Sequence, residues 1–201
     1  IVMDKICEAI IVTPGVNYDD LLLGDKNAVF IGARIYGYGP MYETAISKPD
    51  GTEIPVTVDL MKIEHKTIDE SLITQGVNKF KFQLPHSKNN IEFKLLTVGD
   101  QKKIDADLKG MKKYSGVGTE SNLTTRLRFM ILSVDDNESQ SSIAQCVNNM
   151  IAMDSRAFRD YVQKIQPDID LNINMEDPAT GETFRAPFKI GINILYPDFK
   201  E

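Results

Sequence analysis

A chain of 201 residues, 42% hydrophobic and 26% charged, is composed like an ordinary globular protein and can bury a core as one large domain or two small ones. Its formal net charge of −6 argues against a general nucleic-acid binder, whose footprint is basic. Two cysteines, Cys7 and Cys146, are too few for a disulfide framework, and apolar runs such as Ala9–Val12 and Phe129–Leu132 are far too short to span a bilayer. With no secretory signal pattern in view, the expected compartment is the cytosol where the chain is made.

Residues 1–12 carry Ile6, Cys7, Ala9, Ile10 and Ile11 in a pattern that suits a strand or a short helix, and Thr13-Pro14-Gly15 ends it. Leu21–Gly39 is the stretch around which the rest is read. Asp25 is the expected N-cap, its carboxylate accepting from the free N–H groups of a first helical turn. Ala28, Val29, Ile31, Ala33, Ile35 and Tyr36 form a largely apolar helix body. Gly37 is the expected φ > 0 residue that ends it, and Gly39-Pro40 turns the chain. Arg34 is the only charged residue between Lys26 and Glu43, so the expectation is a buried guanidinium that finds a carboxylate or carbonyl acceptor.

After Pro40 the period changes. Tyr42–Ile46 and Ile54–Val58 read as strands of a hairpin closed by Ser47-Lys48-Pro49-Asp50-Gly51. Asp59–Ile73 is polar and irregular. Phe80 and Phe82 alternate with Lys79, Lys81 and Gln83, Pro85–Asn90 turns, and Ile91–Val98 returns as the partner strand. The middle of the chain is helical. Asp100 is placed as the cap of a helix with Ile104, Leu108 and Met111. Leu123, Leu127, Met130, Ile131 and Val134 fall on one face of a second helix, and Ile143, Val147 and Met150 belong to a third. Asp154 is placed as the cap of a fourth, with Ala157, Phe158, Tyr161, Val162 and Ile165, stopped by Pro167. Ile169, Leu171 and Ile173 then alternate, Asp177–Gly181 turns, and Phe184–Leu195 comes back. The order of helix, hairpins, helices and hairpin gives an α+β fold over residues 1–201, with a sub-boundary most compatible with Lys113–Gly118.

The chemical motifs are weak. Lys112–Thr119 puts glycines ahead of a helix, but it lacks the preceding strand and the Lys-Ser/Thr pair of a phosphate loop. Lys102, Lys103, Lys109, Lys112, Lys113, Arg126 and Arg128 make a basic stretch, read first as a solvated face and second as a surface for an acidic protein. Asp135–Ser139 lacks the glycine and the bidentate glutamate of a calcium loop. His65 and His86 have no ligand spacing, and Cys146 is read as a buried thiol on the Ile143–Val147 face.

The whole chain resembles the baseplate hub family of T-even-type contractile-tailed bacteriophages. The resemblance runs through GDKNAVFIGARIYGYGPMYE, VTVDL, LPHS with IEFKLLTVGD, MDSRAFRDYVQKIQPDID and FRAPFKIGINILYPDF, in that order and spacing. It implies an assembly protein with other hub and tail proteins as partners, no cofactor, no nucleic-acid, membrane or small-molecule partner, and no catalytic residue. Some relatives in that family carry Cys-x-x-Cys pairs in two hairpin turns; here those positions are Ser47/Asp50 and Asp177/Thr180, so the expectation is no metal. A cytosolic tail-assembly chaperone is the alternative, and a nucleotide-binding or hydrolytic tail enzyme using the 112–119 loop is a weaker one. The expected location is the host cytoplasm, then the virion baseplate if the protein is retained. Candidate interface residues are Tyr196, Pro197, Asp198 and Phe199 of the apolar C-terminal stretch, together with Lys112 and Lys113. Two readings of that stretch stand side by side, a partner surface and a strand closing the protein's own core.

Overall fold

The computed structural model describes residues 2–48, 51–115, 120–176, 181, 183–188, 190 and 194–196. Among them the fold is α+β: helices α1 (Val2–Ile10), α2 (Leu23–Tyr38), α3 (Val98–Ser115), α4 (Glu120–Met130), α5 (Gln140–Asn148) and α6 (Ala152–Ile165), and strands β1 (Met41–Ser47), β2 (Glu53–Asp59), β3 (Phe80–Gln83), β4 (Asn90–Phe93), β5 (Ile131–Val134), β6 (Asn172–Glu176) and β7 (Thr183–Pro187). The chain divides into two compact units. The first is Ile1–Val16, Gly24–Thr67 and Pro167–Glu201; the second is Asn17–Leu23 and Ile68–Gln166. The expected sub-boundary at 113–118 falls inside the second unit, with residues 116–119 outside the described part.

In the first unit, the opening stretch forms the helix Val2–Ile10, which buries Cys7 completely. Helix α2 begins two residues earlier than Asp25, so Asp25 lies in the first turn and is not the cap. A negative charge there still complements the helix dipole. The start of α2 is fixed by Gly24: a Cβ on it would fall 1.8 Å from the Pro167 carbonyl oxygen, so the helix reaches the 167–168 segment only with glycine. Asn27 then donates to the Asp168 carboxylate at 3.0 Å. The helix also runs past Gly37. Its end is Tyr38, and Gly39 supplies the left-handed residue at φ +82°, its N–H donating to Ile35 O at 3.0 Å.

Strands β1 and β2 pair antiparallel with Tyr42 opposite Val58 and Ile46 opposite Ile54. Period-two alternation turns Tyr42, Ile46, Val56 and Val58 inward. Lys48 N–H to Thr52 O closes the turn at 2.8 Å, with Gly51 at φ +86°; Pro49 and Asp50 lie outside the described residues. Phe188, just after β7, bridges to Ile46 and sets its ring 6.3 Å from that of Tyr42. The returning 167–170 segment pairs with residues 64–66 through Lys66 N–H to Asp168 O and Asp170 N–H to Glu64 O, each at 2.9 Å.

The second unit is an antiparallel β3–β4–β5 sheet packed with helices. Phe80 faces Phe93 across β3 and β4, and Ile91 faces Val134 across β4 and β5. Phe93 and Phe158 are fully buried and meet edge-to-face at 4.9 Å, while Phe82 stacks on Tyr161 at 4.8 Å. Strand β4 ends at Phe93 rather than running to Val98. Beyond it Lys94 N–H bonds Met130 O at 2.9 Å, and Thr97 bridges to Leu22.

Three helix boundaries in this unit also differ from the sequence reading. Thr97, not Asp100, caps α3: Asp100 N–H donates to Thr97 Oγ1 and Thr97 N–H to Asp100 Oδ2, both at 3.2 Å, a reciprocal capping box. Ile131 and Val134 are not on a helix; α4 stops at Met130 and Ile131–Val134 becomes β5. A short apolar run is ambiguous in period, and the open edge of β4 decides it. Helix α6 starts at Ala152, so Asp154 is two residues inside it and caps nothing in its own helix.

Candidate functional site

The buried polar groups have long-range partners that local sequence patterns do not reveal. Asp154 is 1% exposed, and its carboxylate reaches across to the turn after β3, accepting from His86 N–H at 2.8 Å and Ser87 N–H at 3.0 Å. That turn carries Lys88 at φ 63° and is closed by Leu84 N–H to Asn89 O at 2.9 Å. Burial pushes the Asp154 carboxyl up, but the N–H groups of His86 and Ser87 outweigh it and hold it below the usual carboxylate range. Asp135, in the left-handed region at φ 49°, does similar work by accepting from Asn90 N–H at 2.8 Å.

Asp154 also lines a cleft of about 480 Å³ with Leu84, Asn89, Gln145, Cys146, Asn149 and Met150. Cys146 is half-buried rather than fully buried. Its thiol is pushed up by burial, then by the charges of Asp135 and Asp154, which keeps it protonated and poorly nucleophilic at neutral pH. The cleft offers amides, hydroxyls and two carboxylates already engaged by backbone N–H groups, an arrangement suited to hydrogen bonding rather than to proton transfer. Among the described residues, no group of three or more His, Cys, Asp and Glu is placed to hold a metal, and no helix is long and apolar enough to cross a membrane. His65 pairs by its backbone with Ile169 within the first unit, and His86 belongs to the second.

The expected interface residues are only partly visible. Tyr196 is 44% exposed, directly after Ile194 and Leu195, which are buried. The apolar C-terminal stretch therefore supplies core first and then turns an aromatic ring outward. Pro197, Asp198 and Phe199, and the side chains of Lys112 and Lys113, lie outside the described residues. Elsewhere the basic stretch is partly engaged within its own unit: Lys102 pairs with Asp19 at 2.6 Å, Arg126 donates to Gln101 at 2.9 Å, and Arg128 to Asn148 at 2.8 Å.

Arg34 is buried as expected and has a carbonyl acceptor, Met41 O, at 2.8 Å from Nη2. Nε and Nη1 have no partner among the described residues. The Thr97-Val-Gly-Asp100 box was readable in the sequence as a T-x-x-acid pattern. The cleft was not, because its walls come from separate turns and helices. Compared with known protein families, curated proteins and solved structures, the chain matches none of them.

Proposed function

We propose that the chain is a structural or assembly component of the central hub of a contractile-tail bacteriophage baseplate, working through protein–protein surfaces and without a catalytic step. The observation that carries this reading is the ordered series of segments from GDKNAVFIGARIYGYGPMYE to FRAPFKIGINILYPDF. Support comes from surface chemistry: Tyr36, Tyr38, Met41, Met61, Met153 and Tyr196 are exposed, and tyrosine and methionine are enriched at protein interfaces. On this reading the partners are other hub and tail proteins of the same phage. The place of assembly is the host cytoplasm, and the destination is the virion baseplate if the protein is retained.

Mass spectrometry of purified virions of the parent phage tests the reading. Stoichiometric recovery with hub proteins is expected. Absence from virions together with recovery in assembly intermediates from infected cells would move the protein to the chaperone class, and absence from both would end the hub assignment. The tail can be tested separately. Removing residues 196–201 should leave a soluble, cooperatively folding protein, since Ile194 and Leu195 remain, while pull-downs from infected cells lose the hub complex. Retained complexes would show that the tail is not the interface.

A further inference from the structure

Every charged residue lining the cleft of about 480 Å³ in the second unit is acidic. Asp135 and Asp154 are there, and Lys, Arg and His are absent from the described lining. The two acids are held differently. Asp154 is 1% exposed and commits both oxygens to the N–H groups of His86 and Ser87, so its charge reaches the cleft as a field rather than as a contact. Asp135 is exposed; its Oδ1 accepts from Asn90 N–H, and its Oδ2 has no partner among the described residues. Both charges converge on the interior: after burial itself, they are what push the thiol of Cys146, on the cleft wall, upward.

The neighbouring charges do not reverse this sign. His86 and Lys88 flank the lining on the turn after β3, and Asp136 and Glu138 flank it on the turn after β5. Arg128 is engaged by Asn148, and Arg156 faces Asp160 along α6. The uncharged lining has its own chemistry. The side-chain amides of Asn89, Gln145 and Asn149 make no hydrogen bond among the described residues, and each offers both an oxygen and an NH₂ group. Met150 and Ile151 add apolar surface, and Ile151 is 40% exposed.

We propose that this cleft docks a lysine-bearing segment of a partner protein. The lysine ammonium meets Asp135 Oδ2, its remaining N–H groups turn to the carboxamide oxygens, and its aliphatic stem lies on Met150 and Ile151. An ammonium fits better than a guanidinium, because a planar fork needs two free carboxylate oxygens to bond in parallel and Asp135 has one. A peptide segment fits better than a free amine, because the amides can donate to and accept from a backbone, and the volume is in the range of about 300–1,000 Å³ that holds drug-sized ligands. The inference deepens the assembly reading by naming a surface and the chemistry of what it binds, and it rests on that reading for the class of partner.

The test is a ribosome-displayed random peptide library selected on the full chain. Enriched peptides should carry Lys next to a Leu, Ile, Met or Phe. A synthetic copy of the best one should lose about tenfold in affinity on Asp135→Asn, and a similar factor when its lysine is acetylated. Asparagine keeps an acceptor for Asn90 N–H, so the turn is retained. In the Asp135→Asn background acetylation should matter by no more than about twofold, the share left to the field of Asp154. Asp136→Asn removes a charge one residue away that lines a separate pocket, and should change affinity by less than about twofold. Gln145→Trp fills the cleft from an exposed helix position and should abolish binding without altering any charge. No binders, enrichment of acids or of arginine without lysine, an acetylation effect of full size without Asp135, or binding that survives Gln145→Trp would overturn the proposal. The selection contains no phage component, so its failure leaves the virion experiment standing, and the converse also holds.

Discussion

The two units handle buried polarity differently. In the second, buried carboxylates accept from backbone N–H groups, Asp154 from His86 and Ser87 and Asp100 from Thr97. Among the described residues, the unpartnered buried atoms there are a single N–H of Arg128, whose Nη2 binds Asn148, and the hydroxyl of Ser155. In the first unit a whole guanidinium is buried on one hydrogen bond, and all the exposed tyrosines among the described residues belong to this unit. Each unit leaves two buried atoms unpartnered among the described residues; in the second they fall on two side chains, whereas in the first both fall on one guanidinium beside an exposed tyrosine ring.

The sharpest way to break that comparison is to damage each core in turn. Phe158→Ala removes a fully buried ring from contact with Phe93 and Phe82 and should cost about 3–5 kcal/mol. Residue-resolved hydrogen exchange should place the loss in residues 68–166. Equal loss of protection in β1 and β2 would show that the two units unfold together. Gly24→Ala attacks the first unit through backbone rather than packing. Its Cβ meets the Pro167 carbonyl at 1.8 Å, so the start of α2 must move, at about 2–3 kcal/mol, read by denaturant unfolding. An unchanged midpoint would mean that the 167–168 segment gives way freely.

Smaller effects separate the two styles of polarity. Asp154→Ala leaves the His86 and Ser87 N–H groups without their carboxylate and should cost about 1–2 kcal/mol at neutral pH, discounted because that turn is exposed to water. The sign of the pH dependence follows from the lowered carboxyl. Asp154 contributes its full stability above the ordinary carboxylate value near 3.8, and loses it as pH falls from there through the folded-state value. Acid unfolding should therefore be less steep in Asp154→Asn than in wild type, and identical curves would reject the role. Arg34→Met should be the mildest change, within about 1 kcal/mol, because losing the bond to Met41 O is offset by removing two idle donors. A loss comparable to that of Gly24→Ala would mean that the single bond to Met41 O outweighs the two idle donors.

Local chemistry made much of the fold readable. The hairpins at 41–59 and 80–93 showed themselves through alternation and turn residues, and α2 through its apolar body. The burial of Arg34 followed from its isolation. What stayed hidden was decided at a distance or by a single dihedral angle. Gly37 and Gly39 are equally able to end a helix, and only φ +82° at Gly39 distinguishes them. Asp25 and Asp154 both look like caps, because an acid near a helix start is favourable either at the cap or inside the first turn. Asp154 then turns toward a loop some 67 residues earlier in the chain, which no local pattern encodes. Ile131–Val134 continues the apolar pattern of α4, and only the vacant edge of β4 makes it a strand. Arg34 was half legible: the charge stood out, but its acceptor, Met41 O, is set by the turn into β1.

The order in which the chain leaves the ribosome matters for these two units. Most of the second unit is one uninterrupted segment, Ile68–Gln166, whereas the first is assembled from three, the last beginning at Pro167. Phe188, which bridges to Ile46 and meets the Tyr42 ring, is translated long after the hairpin it covers. During synthesis the 68–166 region can therefore reach its native packing while β1 and β2 still wait with an uncovered apolar face. Nascent chains arrested before residue 188 should bind general chaperones through residues 41–59, and release should coincide with emergence of the segment that contains Phe188.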